Sequence, residues 1–175
     1  MEKHNGLRPQ DVVILLKILT FSTSDWTLAD IADSLKISIS EVSGALERCR
    51  ISGLVNQSKR KVNKLSLREF LIYGLKYVYP AQIGAPVRGI ATAHSALPIS
   101  AHITEGKEIL VWANSKGTRR GNSVSPLYAT VPKIVESQPE LYEYLVIVDT
   151  LRVGRVREIE AAILELDKRL NAEKE

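Results

Sequence analysis

Apolar residues recur along the first third of the chain at the three- and four-residue intervals of helices that bury one face. Val12, Leu15, Leu16 and Leu19 set this rhythm over Pro9 to Phe21. Pro9 suits a first helical turn, where a missing N–H loses no partner, and Asp11 lies where a carboxylate complements the helix dipole. After a polar connection, Thr27 with Asp30 three residues on reads as a capped start. The helix Leu28 to Leu35 then buries Leu28, Ile31, Ala32 and Leu35. Lys36-Ile37-Ser38 leaves room only for a tight turn. Ser38 or Ser40 caps a third helix ending near Ile51, with Val42, Ala45, Leu46 and Cys49 as its apolar face, and Gly53 is its stop. Leu54-Val55 opens a strand, Ser58 to Lys61 is a charged tip, and Val62 to Leu65 returns beside it. A further helix, Ser66 to about Val78, turns Leu67, Phe70, Leu71, Leu75 and Val78 toward a core.

From Tyr79 to Val135 the helical rhythm stops, and Pro80, Pro86, Pro98, Pro126 and Pro132 punctuate the chain. Only Glu108 to Trp112 patterns as a strand. The stretch reads as an ordered, loop-rich segment packed on the rest. Helical spacing resumes after Ser137, with Pro139 in a first turn and Leu141, Leu145 and Val148 as an apolar stripe. Gly154 interrupts it. Ile159, Ile163, Leu166 and Leu170 form a second, narrower stripe near coiled-coil spacing.

Composition narrows the class. At 175 residues, 45% hydrophobic and 25% charged, the chain has the balance of a globular protein. No apolar run approaches the ~20 residues of a membrane helix, no signal-peptide pattern is present, and the expected compartment is the cytoplasm. One cysteine and three histidines favour neither a disulfide nor a zinc site, so no metal or cofactor is expected. Cys49 reads as a small buried hydrophobe.

Charge is unevenly spread. Residues 1–79 carry a net +4, residues 80–136 a net +3 and residues 137–175 a net −3. Arg48, Arg50, Lys59, Arg60, Lys61 and Lys64 fall in a run without an acid, the footprint of a polyanion partner. The preceding helix pair has the parts needed to enter a major groove: a short turn, small Ala32 at the crossing, and a second helix with split faces. Its outward side is expected to present Ser38, Ser40, Glu41, Ser43, Gly44, Glu47 and Arg48, with Thr27 at the start of the bracing helix. Short hydroxyls and Gly44 permit close approach; Glu41 or Glu47 could accept from cytosine, and Arg48 could reach guanine or phosphate. Lys59, Arg60, Lys61 and Lys64 would grip the backbone from the hairpin.

The stretch "TLADIADSLKISISEVSGALERCRISGLV", followed by "NQSKRKVNK", resembles the winged helix-turn-helix regulators of bacteria and archaea, including the MarR and Lrp groups. The resemblance covers about a third of the chain. It implies a mainly α (α+β) fold with a two-stranded wing on an N-terminal domain, residues 1–79. A loop-rich accessory segment, 80–136, and a C-terminal helical pair, 137–175, would follow. The implied function is a sequence-specific regulator of double-stranded DNA. The apolar stripes of the C-terminal helices need a surface to bury: either a two-fold dimer, which would make the regulator a homodimeric repressor, or the chain's own winged domain.

The rest supplies no catalytic constellation. His94 and Ser95 are adjacent, with Arg88 near, but adjacency in sequence is no base–nucleophile pair. "SKGTRRGNS" lacks the Gly-Lys-Ser/Thr of a phosphate-binding loop. Arg88, Arg119 and Arg120 are kept as accessory phosphate or partner contacts. The alternative reading is a protein-interaction module, such as an antitoxin or a defence-system component, that covers a partner enzyme through residues 80–175.

Overall fold

The computed structural model describes residues 5–104 and 106–172. Within them the fold is mixed, with seven helices and a three-stranded sheet. Helix α1 spans Pro9–Thr20, α2 Leu28–Leu35 and α3 Ile39–Ile51. A hairpin follows whose strands meet at a single antiparallel bridge, Val55 to Val62. Helix α4 begins at Lys64–Glu69, widens to a π-helical turn at Phe70–Gly74 and ends at Leu75–Val78. The expected return strand Val62 to Leu65 is therefore cut short, because the backbone is already helical from Lys64.

The π turn explains a second difference. A wider turn rotates the residues after it, so a strict four-residue row stays aligned along α4 instead of drifting. Leu67, Leu71 and Leu75 are buried on this row, while Val78 is 54% exposed and Tyr79 packs inward against Phe70, ring edge to ring face. On the opposite side the same spacing turns Leu65, Tyr73 and Tyr77 to solvent.

The middle segment is where expectation and structure differ most. Strand β1 (Ile83–Ala91) pairs antiparallel with both β2 (Leu110–Ala113) and β3 (Arg119–Val124), and β2 pairs parallel with β3. Three short strands thus close on themselves. Closure at this radius needs residues without a Cβ at the crossings. A Cβ on Gly89 would run into the Trp112 carbonyl, and one on Gly117 into the backbone of Gly89.

Short helix α5 (Val131–Ile134) leads through a 3₁₀ turn at Val135–Ser137 into α6 (Pro139–Val153) and then α7 (Val156–Asn171). Helices α1 and α6 are enclosed nearly all round over their central turns. Val12 to Leu16 and Tyr144 to Leu151 are all buried, as expected of helices at the centre of a domain. α1 packs on α2, α3 and α6, and α6 on α7. One continuous core therefore runs from Val12 to Leu170. The apolar stripes of the C-terminal helices lie inside this chain's own core: Leu141, Leu145, Val148, Leu166 and Leu170 are all buried there.

Asp149 locks the sheet to α6. Its carboxylate accepts from Thr92 Oγ1 at 2.9 Å, Trp112 Nε1 at 2.6 Å and Arg152 Nη1 at 2.9 Å, all out of water. Arg152 also donates to the Tyr79 carbonyl. Burial pushes the Asp149 carboxyl up, against the opposing pull of Arg152.

A candidate nucleic-acid interface

The α2–turn–α3 segment is built from one capping device used twice. Thr27 accepts from the Asp30 N–H at 3.1 Å, while the Asp30 carboxylate takes the Thr27 N–H at 2.6 Å. Ser38 and Glu41 repeat it at 3.1 and 2.9 Å. Each satisfies two of the backbone groups a helix start leaves open. The same bonds hold the carboxyls of Asp30 and Glu41 below the usual range. Glu41, expected to face a base, is thus engaged with its own helix start. Between the helices Lys36 closes α2 in the left-handed region, at φ 55°.

The outward side of α3 carries Ser40 and Ser43, both exposed and without a side-chain hydrogen bond among the described residues, with half-exposed Gly44 beside them. Arg48 does not join them. It turns inward to a bidentate pair with Asp11 of α1, Nε to Oδ2 at 2.8 Å and Nη2 to Oδ1 at 2.7 Å. Asp11 is fully buried and Arg48 only 13% exposed, and this bond holds the guanidinium's proton more tightly than usual. Arg48 is thus engaged in tying α3 to α1. Cys49 beside it is buried, and burial pushes its thiol up to about 12.

The hairpin is tied down at several points. Glu47 takes Arg50 at 2.6 Å and Lys59 at 2.7 Å, which together lower its carboxyl to about 2. Arg60 stacks its guanidinium 4.1 Å from the centre of the Trp26 ring and donates to the carbonyls of Ser24 and Trp26. Asn56 Oδ1 accepts from the N–H groups of Arg60 and Lys61, fixing the tip. Lys64, placed in sequence on the hairpin, lies in α4 and donates to the Leu170 carbonyl at 2.8 Å, at the end of α7. Of the expected basic grip, Lys61 alone is exposed and forms no side-chain bond among the described residues.

Comparison with family models, with curated proteins and with solved structures finds no match to this chain. Its function must be argued from its own geometry.

The accessory arginines lie on the sheet rather than on loops. Arg88 of β1 sits directly opposite Arg120 of β3, and both are exposed. Arg119 lines a cavity of about 340 Å³ with Lys116 and Tyr142, whose hydroxyl donates to the Ala91 carbonyl. His94 and Ser95 are drawn into structural bonds instead: His94 Nε2 meets the Glu108 carbonyl, and Ser95 accepts from the Leu110 N–H. No cluster of three or more metal-ligating side chains occurs among the described residues. None of the described helices is long and apolar enough to cross a membrane.

In sequence Trp26 and Asn56 carried no role and Asp11 only that of a first-turn acid, yet all three set the posture of α3 and the hairpin. The signal for Asn56 was present, since asparagine ahead of a tip residue in the left-handed region is a turn signature. Lys59 holds that position, at φ 59°.

Proposed function

We propose that this chain binds double-stranded DNA through α3 and the hairpin, as a winged helix-turn-helix regulator. Gly44 carries the reading. A mid-helix glycine costs about 1 kcal/mol relative to alanine. Nothing in the fold requires it: a Cβ there would meet only Arg48 Nη1, at an ordinary 3.4 Å. A bare strip between Ser40, Ser43 and Glu47 is what close approach of a groove wall needs, and hydroxyls serve bases and phosphates alike. Affinity rests on few free cations near α3, so discrimination falls to the small polar face.

Gly44 gives two effects of opposite sign. Gly44→Ala raises stability by up to about 1 kcal/mol, read by urea unfolding, while Gly44→Gln lowers affinity for DNA from the gene's own upstream region at least tenfold in gel shift. Unchanged affinity in Gly44→Gln, or no shift by the folded wild type at ~100 mM salt, overturns the reading.

A protein-interaction module is the second reading, and the surface that favours it is the outer row of α4 rather than residues 80–175. Leu65, Tyr73 and Tyr77 are 69–74% exposed in line with one another, a concentration of apolar surface rare on an unpartnered helix.

A further inference from the structure

Lys36, Lys116 and Lys133 are far apart in sequence and belong to the α2–α3 turn, the β2–β3 loop and α5. They line one groove of about 520 Å³. All three are exposed, and none forms an ion pair among the described residues. Glu136 is the single acid on the groove wall. Like charges gathered this way repel one another, and an anion laid between them would relieve that repulsion.

The frame beneath the lysines is rigid. Asn114 donates through Nδ2 to the Pro132 carbonyl at 2.7 Å and accepts the Lys116 N–H at 2.9 Å, binding the β2–β3 loop to α5 and setting the direction of Lys116. Gln138 ties the same end of the molecule to α2, donating to the Ser34 carbonyl and accepting from Lys17. The groove therefore begins at the turn that delivers α3 and holds a fixed relation to it.

Lys36 adds an independent observation. The left-handed conformation disfavours any residue with a Cβ by about 1–2 kcal/mol, and glycine or asparagine is the usual occupant. The chain places lysine there and again at Lys59, on either side of α3 in sequence. The backbone demands lysine at neither place.

We propose that Lys36, Lys116 and Lys133 form a second phosphate-binding track that carries a duplex past α3 onto the sheet. Lysine suits this role: it is a point charge on a flexible stem, able to meet phosphates without regard to sequence, whereas a site for one shaped anion favours the arginine fork. The track rests on the duplex-binding reading above and extends its footprint beyond the α3 face.

The test is the salt dependence of binding to a 30-base-pair mixed-sequence duplex, followed by fluorescence anisotropy. Wild type is compared with Lys36→Asn/Lys116→Gln/Lys133→Gln, with Lys116→Gln/Lys133→Gln, and with Lys61→Gln. Asparagine relieves the strain at position 36, and the double variant leaves that backbone untouched, so loss of fold cannot mimic the result. The slope of log affinity against log salt should flatten by about 0.9 for each phosphate contact removed, hence by about 2 to 3 in the triple variant. Flattening by the triple and by Lys61→Gln supports both track and α3 face. Flattening by the triple alone supports the track and removes the hairpin from the interface. An unchanged slope in the triple overturns the track, while flattening by Lys61→Gln would then leave the α3 reading standing. No binding by folded wild type at 50 mM salt overturns both.

Discussion

The basic run from Arg48 to Lys64 and the lysines at positions 36, 116 and 133 make an instructive pair. The first is dense in sequence and nearly exhausted in space. Arg48 is taken by Asp11, Arg50 and Lys59 by Glu47, Arg60 by Trp26 and two carbonyls, and Lys64 by the end of α7. The second is scattered over nearly a hundred positions yet converges on one groove, with no ion pair to its lysines among the described residues. A run of like charge in a sequence measures supply, not availability. What a partner meets is the remainder after the fold has used its share.

The largest expected effect breaks the first half of this comparison. Arg48→Ala leaves the Asp11 carboxylate buried without its partner, and loss of one member of a buried pair destabilises by about 3–5 kcal/mol. Urea unfolding reads this directly, and a change below about 1 kcal/mol would return Arg48 to the surface as a candidate for DNA. Arg60→Ala comes next. It removes a stacked guanidinium and two charged hydrogen bonds and should cost about 1.5–3 kcal/mol, concentrated in the hairpin. Faster hydrogen exchange at Asn56 to Val62, with α6 protection unchanged, is the expected pattern; uniform loss of protection would contradict it. The smallest effect is acid-dependent. The Glu47 carboxyl is depressed to about 2 from an ordinary 4.5. Its stabilising contribution is therefore complete above about pH 4.5 and is lost as pH falls toward 2. The stability gap between wild type and Glu47→Gln should accordingly close over that window, and a gap that persists at pH 2 would mean that Glu47 does not hold Arg50 and Lys59 through its charge.

Helices α1 to α3 were legible in the sequence because their information is local: apolar spacing, a proline at the start of α1, and Thr27 answered by Asp30. The start of α3 was legible only as Ser38 or Ser40, and Glu41, which reads as a base contact, is the acid that answers Ser38. The sheet was not. β1 reads "IGAPVRGIA", where proline and glycine signal turns, yet Gly89 is there because another strand's carbonyl lies against it. Its four N-terminal residues face solvent, so no alternation betrays it. The direction of Arg48 was equally hidden, since Asp11 lies 37 positions away and reads as a plain first-turn acid. Ser40, Ser43 and Gly44 were legible as an outward face, because α3's burial follows from its own periodicity. Lys133 carried no signal, and Lys116 lay in "SKGTRRGNS", of which only Arg119 and Arg120 were kept; only the tertiary fold brings the two lysines beside Lys36.

The all-round burial of α1 has a consequence for how the molecule can be divided. A helix with Val12 to Leu16 wholly enclosed has no face of its own to show water, and α6 supplies one of its walls. The first 79 residues are therefore not a transplantable cassette: cut free, they would present a greasy scar where α6 had been. The part that would meet DNA and the remainder of the chain should melt together, as one cooperative object.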